Sequence, residues 1–189
     1  PYPLAYPTQP LRQHFAPLPV ATRTELSMFL GESESRALVL FHHPQIAQVA
    51  VKDACASFGS LCYIRPEFHQ RGVTFLSYFD LRCAIAAKGG LVAKLGGGSE
   101  VATFYSVMLH ATQGGVEESR LVVSGLEGER AEAELEALCA RYGPLKSLEK
   151  IFGEESGGEG ALSFVVDFFH VQDARLALSE LSASPALLG

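Results

Sequence analysis

Short apolar runs and amphipathic stretches follow one another along the chain in a fixed order, and that order occurs twice. In the first pass, Leu38-Val39-Leu40-Phe41 reads as a buried strand over 37–41. His42-His43-Pro44 follows, and Pro44 suits the first turn of a helix. Residues 45–58 then place Val51, Ala54, Cys55 and Phe58 on one face at helical spacing. Gly59 is the expected helix terminator, and strands are expected over 61–65 and 73–79. Asp80 should cap a helix over 81–88 that Gly89-Gly90 stops, and 101–109 supplies a fourth strand.

The second pass repeats the order: strand 121–124, helix 131–142, strand 145–152, an acidic glycine loop at 153–160, strand 162–169 and helix 171–181. Its helix carries Leu135, Leu138, Cys139 and Tyr142 where the first carries its own apolar face. The repetition is explicit in Cys55-Ala56-Ser57-Phe58-Gly59-Ser60-Leu61 and Cys139-Ala140-Arg141-Tyr142-Gly143-Pro144-Leu145. The order predicts an α+β fold of two ferredoxin-like βαββαβ units. The second is expected to lack its last strand, because Gly189 is reached where that strand should begin. An open edge on its first strand would invite aggregation, so a partner, the N-terminal segment or further residues should cover it.

The expected boundaries are 1–35 for an N-terminal segment, 36–112 for the first unit, 113–119 for a linker and 120–189 for the second unit. Residues 1–20 hold six of the ten prolines, interleaved with Tyr2, Tyr6 and Phe15. Proline at this density favours extended backbone, either as a tail or as a segment that docks its aromatics. Thr24 to Leu30 resembles a short capped helix and Gly31 to Ser35 a polar linker. The start at Pro1 leaves a removed leader or a fragment boundary open.

Composition narrows the function. A hydrophobic content of 48% excludes general disorder, and no apolar window of about 18 residues marks a membrane span. Cys55, Cys62, Cys83 and Cys139 lack zinc-knuckle spacing. The equivalent pair Cys55 and Cys139 fits small core residues in a reducing compartment. Residues 1–118 carry nine basic and nine acidic side chains, whereas 119–189 carry six and twelve. Residues 36–112 alone sum to +3. Phosphate binding rests on Lys and Arg, so by charge only the first unit is a candidate nucleic-acid surface. Adjacent His42 and His43 should point apart, and no carboxylate or cysteine cluster accompanies them. No nucleophile–base arrangement or phosphate loop is present. The expectation is no enzyme, no metal, no cofactor and no small-molecule substrate.

Arg71-Gly72-Val73-Thr74-Phe75-Leu76-Ser77-Tyr78 resembles the octamer of the RNA-recognition motif at its first, second, fifth and eighth positions. Val73 and Thr74 depart from it at the third and fourth. In the paired strand, Val39 stands where that motif's second stacking aromatic normally sits. The second unit departs further: Ser163 and Val165 occupy its stacking positions, and Ala161 replaces the basic start. Beyond the motif, Ser77-Tyr78-Phe79-Asp80-Leu81-Arg82-Cys83-Ala84 resembles the S-Y-Y-D-I-R-A-A run of the Mei-two-like family, meiosis regulators of fungi, plants and protists. Asp167-Phe168-Phe169-His170-Val171-Gln172-Asp173-Ala174 resembles its second-unit counterpart, and Phe104-Tyr105-Ser106 its fourth-strand ending. The resemblance spans 36–181, the first two of that family's three motifs. It implies the motif fold and an RNA-associated role, although the family's third motif is the one best linked to RNA.

Strand alternation sends Thr74, Leu76 and Tyr78 toward the helices and leaves Arg71, Val73 and Phe75 on the open sheet beside Val39. Phe75 is the expected base-stacking ring; the alternative is an aromatic buried under the other unit or the N-terminal segment. Arg65 and Arg71 are expected at phosphates, and Phe104 on the same face. Val122, Val165 and Ser163 mark the second sheet as a protein-contact surface, and the acidic helix beyond Glu127 as a solvated face or one for a basic partner. The leading expectation is single-stranded RNA on the first unit with a structural or protein-binding second unit. The alternative is a scaffold in a ribonucleoprotein with protein on both sheets. The expected home is nucleus, cytoplasm or both, with an organelle left open.

Overall fold

The computed structural model describes residues 26–96, 101–106, 119–128, 130–151 and 162–183. The proline-rich stretch 1–20, the linker 113–118 and the acidic loop 153–160 lie outside the described residues. In chain order the strands are β1 (Leu30–Gly31), β2 (Ala37–Phe41), β3 (Leu61–Arg65), β4 (Val73–Tyr78), β5 (Ala102–Ser106), β6 (Arg120–Leu126), β7 (Leu145–Ile151) and β8 (Leu162–Phe168). The helices are α1 (Gln48–Ala56), α2 (Leu81–Lys94), α3 (Ala131–Cys139) and α4 (Val171–Ala183).

Two sheets result, ordered β1-β5-β2-β4-β3 and β6-β8-β7, with antiparallel pairing throughout. Each buries one face under its own two helices. Leu38, Leu40, Leu76 and Tyr78 meet Val51, Cys55, Ala84 and Leu91 in the first unit. Leu121, Val123, Phe164 and Val166 meet Leu135, Cys139, Ala174 and Ala177 in the second. The polar end of the buried Tyr78 is satisfied, its hydroxyl donating to the Cys55 carbonyl at 2.7 Å. Burial pushes the Cys55 thiol up to about 12 and that of Cys139 up to about 11, so both are inert core groups.

The doubled glycine has a packing cause. A Cβ on Gly59 would sit 2.9 Å from Cys83 Cβ, and φ there is +150°. A Cβ on Gly143 would meet the carboxylate and the Cβ of Asp173. Cys83 and Asp173 are equivalent in the repeat, each three residues past the residue that precedes α2 or α4. Both units therefore close the end of the first helix against the start of the second, at a point with no room for a side chain.

Three expected elements differ. Gly89-Gly90 does not stop α2, which runs on to Lys94. Gly90 is there for close approach, since a Cβ would clash with the Phe58 ring. Helix α1 begins at Gln48 rather than beside Pro44. The stretch expected as a helix up to Leu30 is a single 3-10 turn over Ser27–Phe29, and Leu30–Gly31 then pairs with Tyr105 and Ser106.

The units join through equivalent segments. The Leu81 amide donates to the Phe169 carbonyl at 3.0 Å, and the Val171 amide donates to the Phe79 carbonyl at 3.1 Å. Phe79 and His170 stack with centroids 6.0 Å apart, and the Arg82 guanidinium lies 5.1 Å from the Phe169 ring centre. Buried Arg36 donates to the carbonyls of Phe168 at 3.0 Å and Phe169 at 3.4 Å. The family-like runs around Asp80 and His170 thus hold the two units together through reciprocal contacts.

Candidate nucleic-acid interface

The face of the first sheet turned away from its helices carries Val39 and Phe41 from β2, Val73 and Phe75 from β4, and Ala102 and Phe104 from β5. Alternation put Val39, Val73, Phe75 and Phe104 there correctly, and Val39 pairs in register with both Phe75 and Phe104. Phe41 belongs beside them, edge-on to Phe104 at 5.9 Å. From β3, Arg65 stands opposite Phe75 and Tyr63 opposite Ser77, so both share this face.

The centre of the face is covered by the chain itself. Leu26 and Leu30 pack on it, and Phe29 stands edge-on to Phe75 at 6.3 Å. Phe68 also packs near-perpendicular to Phe75, with centroids 5.7 Å apart. Phe75 is only 7% exposed, and Val39 and Val73 are buried. The expectation of an open stacking ring at Phe75, with Val39 and Val73 beside it, is therefore corrected in this respect. Of the two alternatives, the N-terminal segment supplies the cover, because its apolar Leu26, Phe29 and Leu30 meet an apolar sheet.

What remains accessible is a rim. Phe68 is 44% exposed. Arg65 is half-buried, its guanidinium 5.7 Å from the Tyr63 ring centre. Burial pushes the Tyr63 phenol up to about 12 against the pull of the Arg65 charge. Arg71, also half-buried, closes the 3-10 turn His69–Arg71 just before β4. Phe104 is half-buried on the β5 side. Sequence reasoning missed Phe68, which lies in a loop outside any periodic run. The available signal was an aromatic held between Pro66 and Gly72.

The loop bearing Phe68 is anchored by histidines. The His69 ring bonds the Ile46 carbonyl through Nε2 at 2.7 Å and packs on His42, with centroids 4.6 Å apart. His42 Nε2 pairs with Thr74 Oγ1 at 3.0 Å. Burial holds the His42 pKa below its ordinary value, opposed by its bond to the His43 carbonyl and reinforced by His69. A Cβ on Gly72, at φ +72°, would collide with the His42 carbonyl. Both ring nitrogens of His42 are hydrogen-bonded, and among the described residues no group of three His, Cys, Asp or Glu could hold a metal.

The open face of the second sheet has no aromatic ring among the described residues. Val122, 65% exposed, pairs with half-buried Val165. Ser163 is buried, and its hydroxyl donates to that of Ser124, its partner across the strand pair, at 3.0 Å. Asp167 accepts from Ser119 at 2.8 Å and from Arg120 at 3.3 Å. Among the described residues no strand lies on the outer side of β6. Glu132, Glu134 and Glu136 of α3 are exposed. Among the described residues no helix is long and apolar enough to cross a membrane.

No family model matches the chain. Protein MEI2-like 4 of Arabidopsis thaliana is 26% identical over 125 residues, covering 66% of this chain and 13% of that protein. Protein MEI2-like 1 of the same plant is 26% identical over 154 residues, covering 80% and 16%. The chain thus resembles the MEI2-like proteins in sequence. It spans less than a fifth of the length of these relatives. Among solved structures, the Sex-lethal RNA recognition domains 1 and 2 from Drosophila melanogaster align over 80% of this chain and 96% of that one, at 15% identity and a TM-score of 0.31. In this chain the first unit has the strand order β5-β2-β4-β3, with β1 added outside, and the second has three strands among the described residues.

Proposed function

We propose that the chain binds single-stranded RNA through the accessible rim of its first sheet, while its second unit fixes geometry and offers a protein-contact surface. The observation that carries this reading is the convergence of Tyr63, Phe68 and Phe104 with Arg65 on one face of the basic motif. The second motif lacks such a set among its described residues and carries the chain's acidic excess. Stacking rings beside cations are what a flexible strand with bases and phosphates requires.

A titration of the full chain with a short unstructured RNA at two salt concentrations tests this. Arg65→Ala combined with Arg71→Ala should weaken binding and flatten the salt slope by about 1.4, at about 0.7 for each single-strand phosphate given up. An unchanged slope would contradict the assignment. The burial of Val39, Val73 and Phe75 favours a second reading, a protein scaffold within a ribonucleoprotein. Under it the wild-type chain shows no salt-dependent RNA binding.

A further inference from the structure

Resting on the RNA-binding reading, we infer that the nucleobase platform of the first motif is Phe68, on the rim of the sheet, and not the central Phe75. A base needs an accessible ring face. Phe75 has the rings of Phe29 and Phe68 packed near-perpendicular to it at 6.3 and 5.7 Å, and almost no exposed surface. Phe68 keeps 44% of its surface open. Its ring contact with Phe75 joins it to the sheet, so a base laid on it extends the apolar cluster outward.

The ring is also held in place before any ligand arrives. The Phe68 carbonyl accepts from the amides of Arg71 at 2.9 Å and Val73 at 3.2 Å. The next residue, His69, is tied to the Ile46 carbonyl and stacked on His42. The amide of His69 donates to the Pro66 carbonyl at 2.8 Å. A loop fixed on both sides of the aromatic residue loses little freedom when a base lands on it. The cations stand at suitable places. Arg65 lies on the neighbouring strand opposite Phe75, and Arg71 ends the same turn. Phosphates on either side of one stacked base would meet these two side chains. The expected ligand is a single-stranded RNA segment engaged through one base and its flanking phosphates. One base stacked on one ring reads little sequence, because every base has a π face.

The test uses the full chain and two labelled RNAs, an oligouridylate and an unstructured mixed-sequence strand, read by fluorescence anisotropy. Phe68→Leu keeps an apolar contact on Phe75 and removes the aromatic face; Phe68→Tyr keeps that face. Phe68→Leu and Phe68→Ala should each weaken binding of both RNAs by about tenfold, within the range for one stacked base. Phe68→Tyr should bind as wild type, and Phe68→Leu should keep the wild-type unfolding transition. RNA binding by the wild type with unchanged affinity in Phe68→Leu would overturn the assignment of Phe68 and leave the RNA-binding reading standing. No RNA binding by the wild type would overturn both and leave the exposed ring to a protein partner.

Discussion

Truncating Phe75 to alanine is expected to destabilise the first motif by about 3 kcal/mol, the cost of removing a buried phenylalanine from packed surroundings. A base-stacking ring on an open sheet would lose almost nothing, because surface substitutions usually stay within about 0.5 kcal/mol. The large value follows from the cover over the sheet: Phe29 and Phe68 both pack near-perpendicular against Phe75, and Val39, Phe41 and Val73 complete a second small core outside the main one. Urea unfolding of the full chain, with Val122→Ala as an exposed-position control, measures the difference. A loss no greater than that control would show the face open in solution. The same number governs the reading of RNA data, since weaker binding by Phe75→Ala would then reflect lost structure before lost stacking.

Gly59→Val should be at least as damaging to the first motif, by about 3 kcal/mol or more. Two costs act together there. A β-branched residue is strained at φ +150°, and its Cβ would be pressed onto Cys83. Gly143→Val should hit the second motif by the steric term alone, since only the contact with Asp173 stands against it. Thermal unfolding should therefore show a larger drop for Gly59→Val than for Gly143→Val. Equal, small shifts would mean the helix ends give way freely, against the packing described for both glycines.

Much of this architecture is legible in the order of residues. The doubled heptapeptide marks the end of α1 and of α3, and its glycine is kept because the next helix leaves no space for a Cβ. Alternation in β4 places Leu76 and Tyr78 on the helices and Phe75 on the other face. The misreadings also have local causes. Gly89-Gly90 looks like a stop, yet Gly90 is the place where α2 lets the Phe58 ring approach. Leu26 to Leu30 looks like a helical fragment because its few apolar residues have no neighbours in sequence to define a period. Their purpose is tertiary: they cover Phe75, and Leu30–Gly31 extends the sheet past β5. The rim residue Phe68 is invisible to periodicity for the same reason, being a loop residue positioned by its buried neighbour His69, which reaches Ile46 and His42 in another segment. The runs around Asp80 and His170 carry the family resemblance, while their reciprocal hydrogen bonds between motifs emerge only from the packed chain.

Hydrogen exchange of the full chain with and without a saturating unstructured RNA tests the central claim most directly. Exchange should slow over residues 61–78, which span β3, the Phe68 turn and β4, and stay unchanged across β6, β7 and β8. Slowing confined to residues 120–168, or none at all while the RNA is bound, would contradict the assignment of RNA binding to the first motif's sheet.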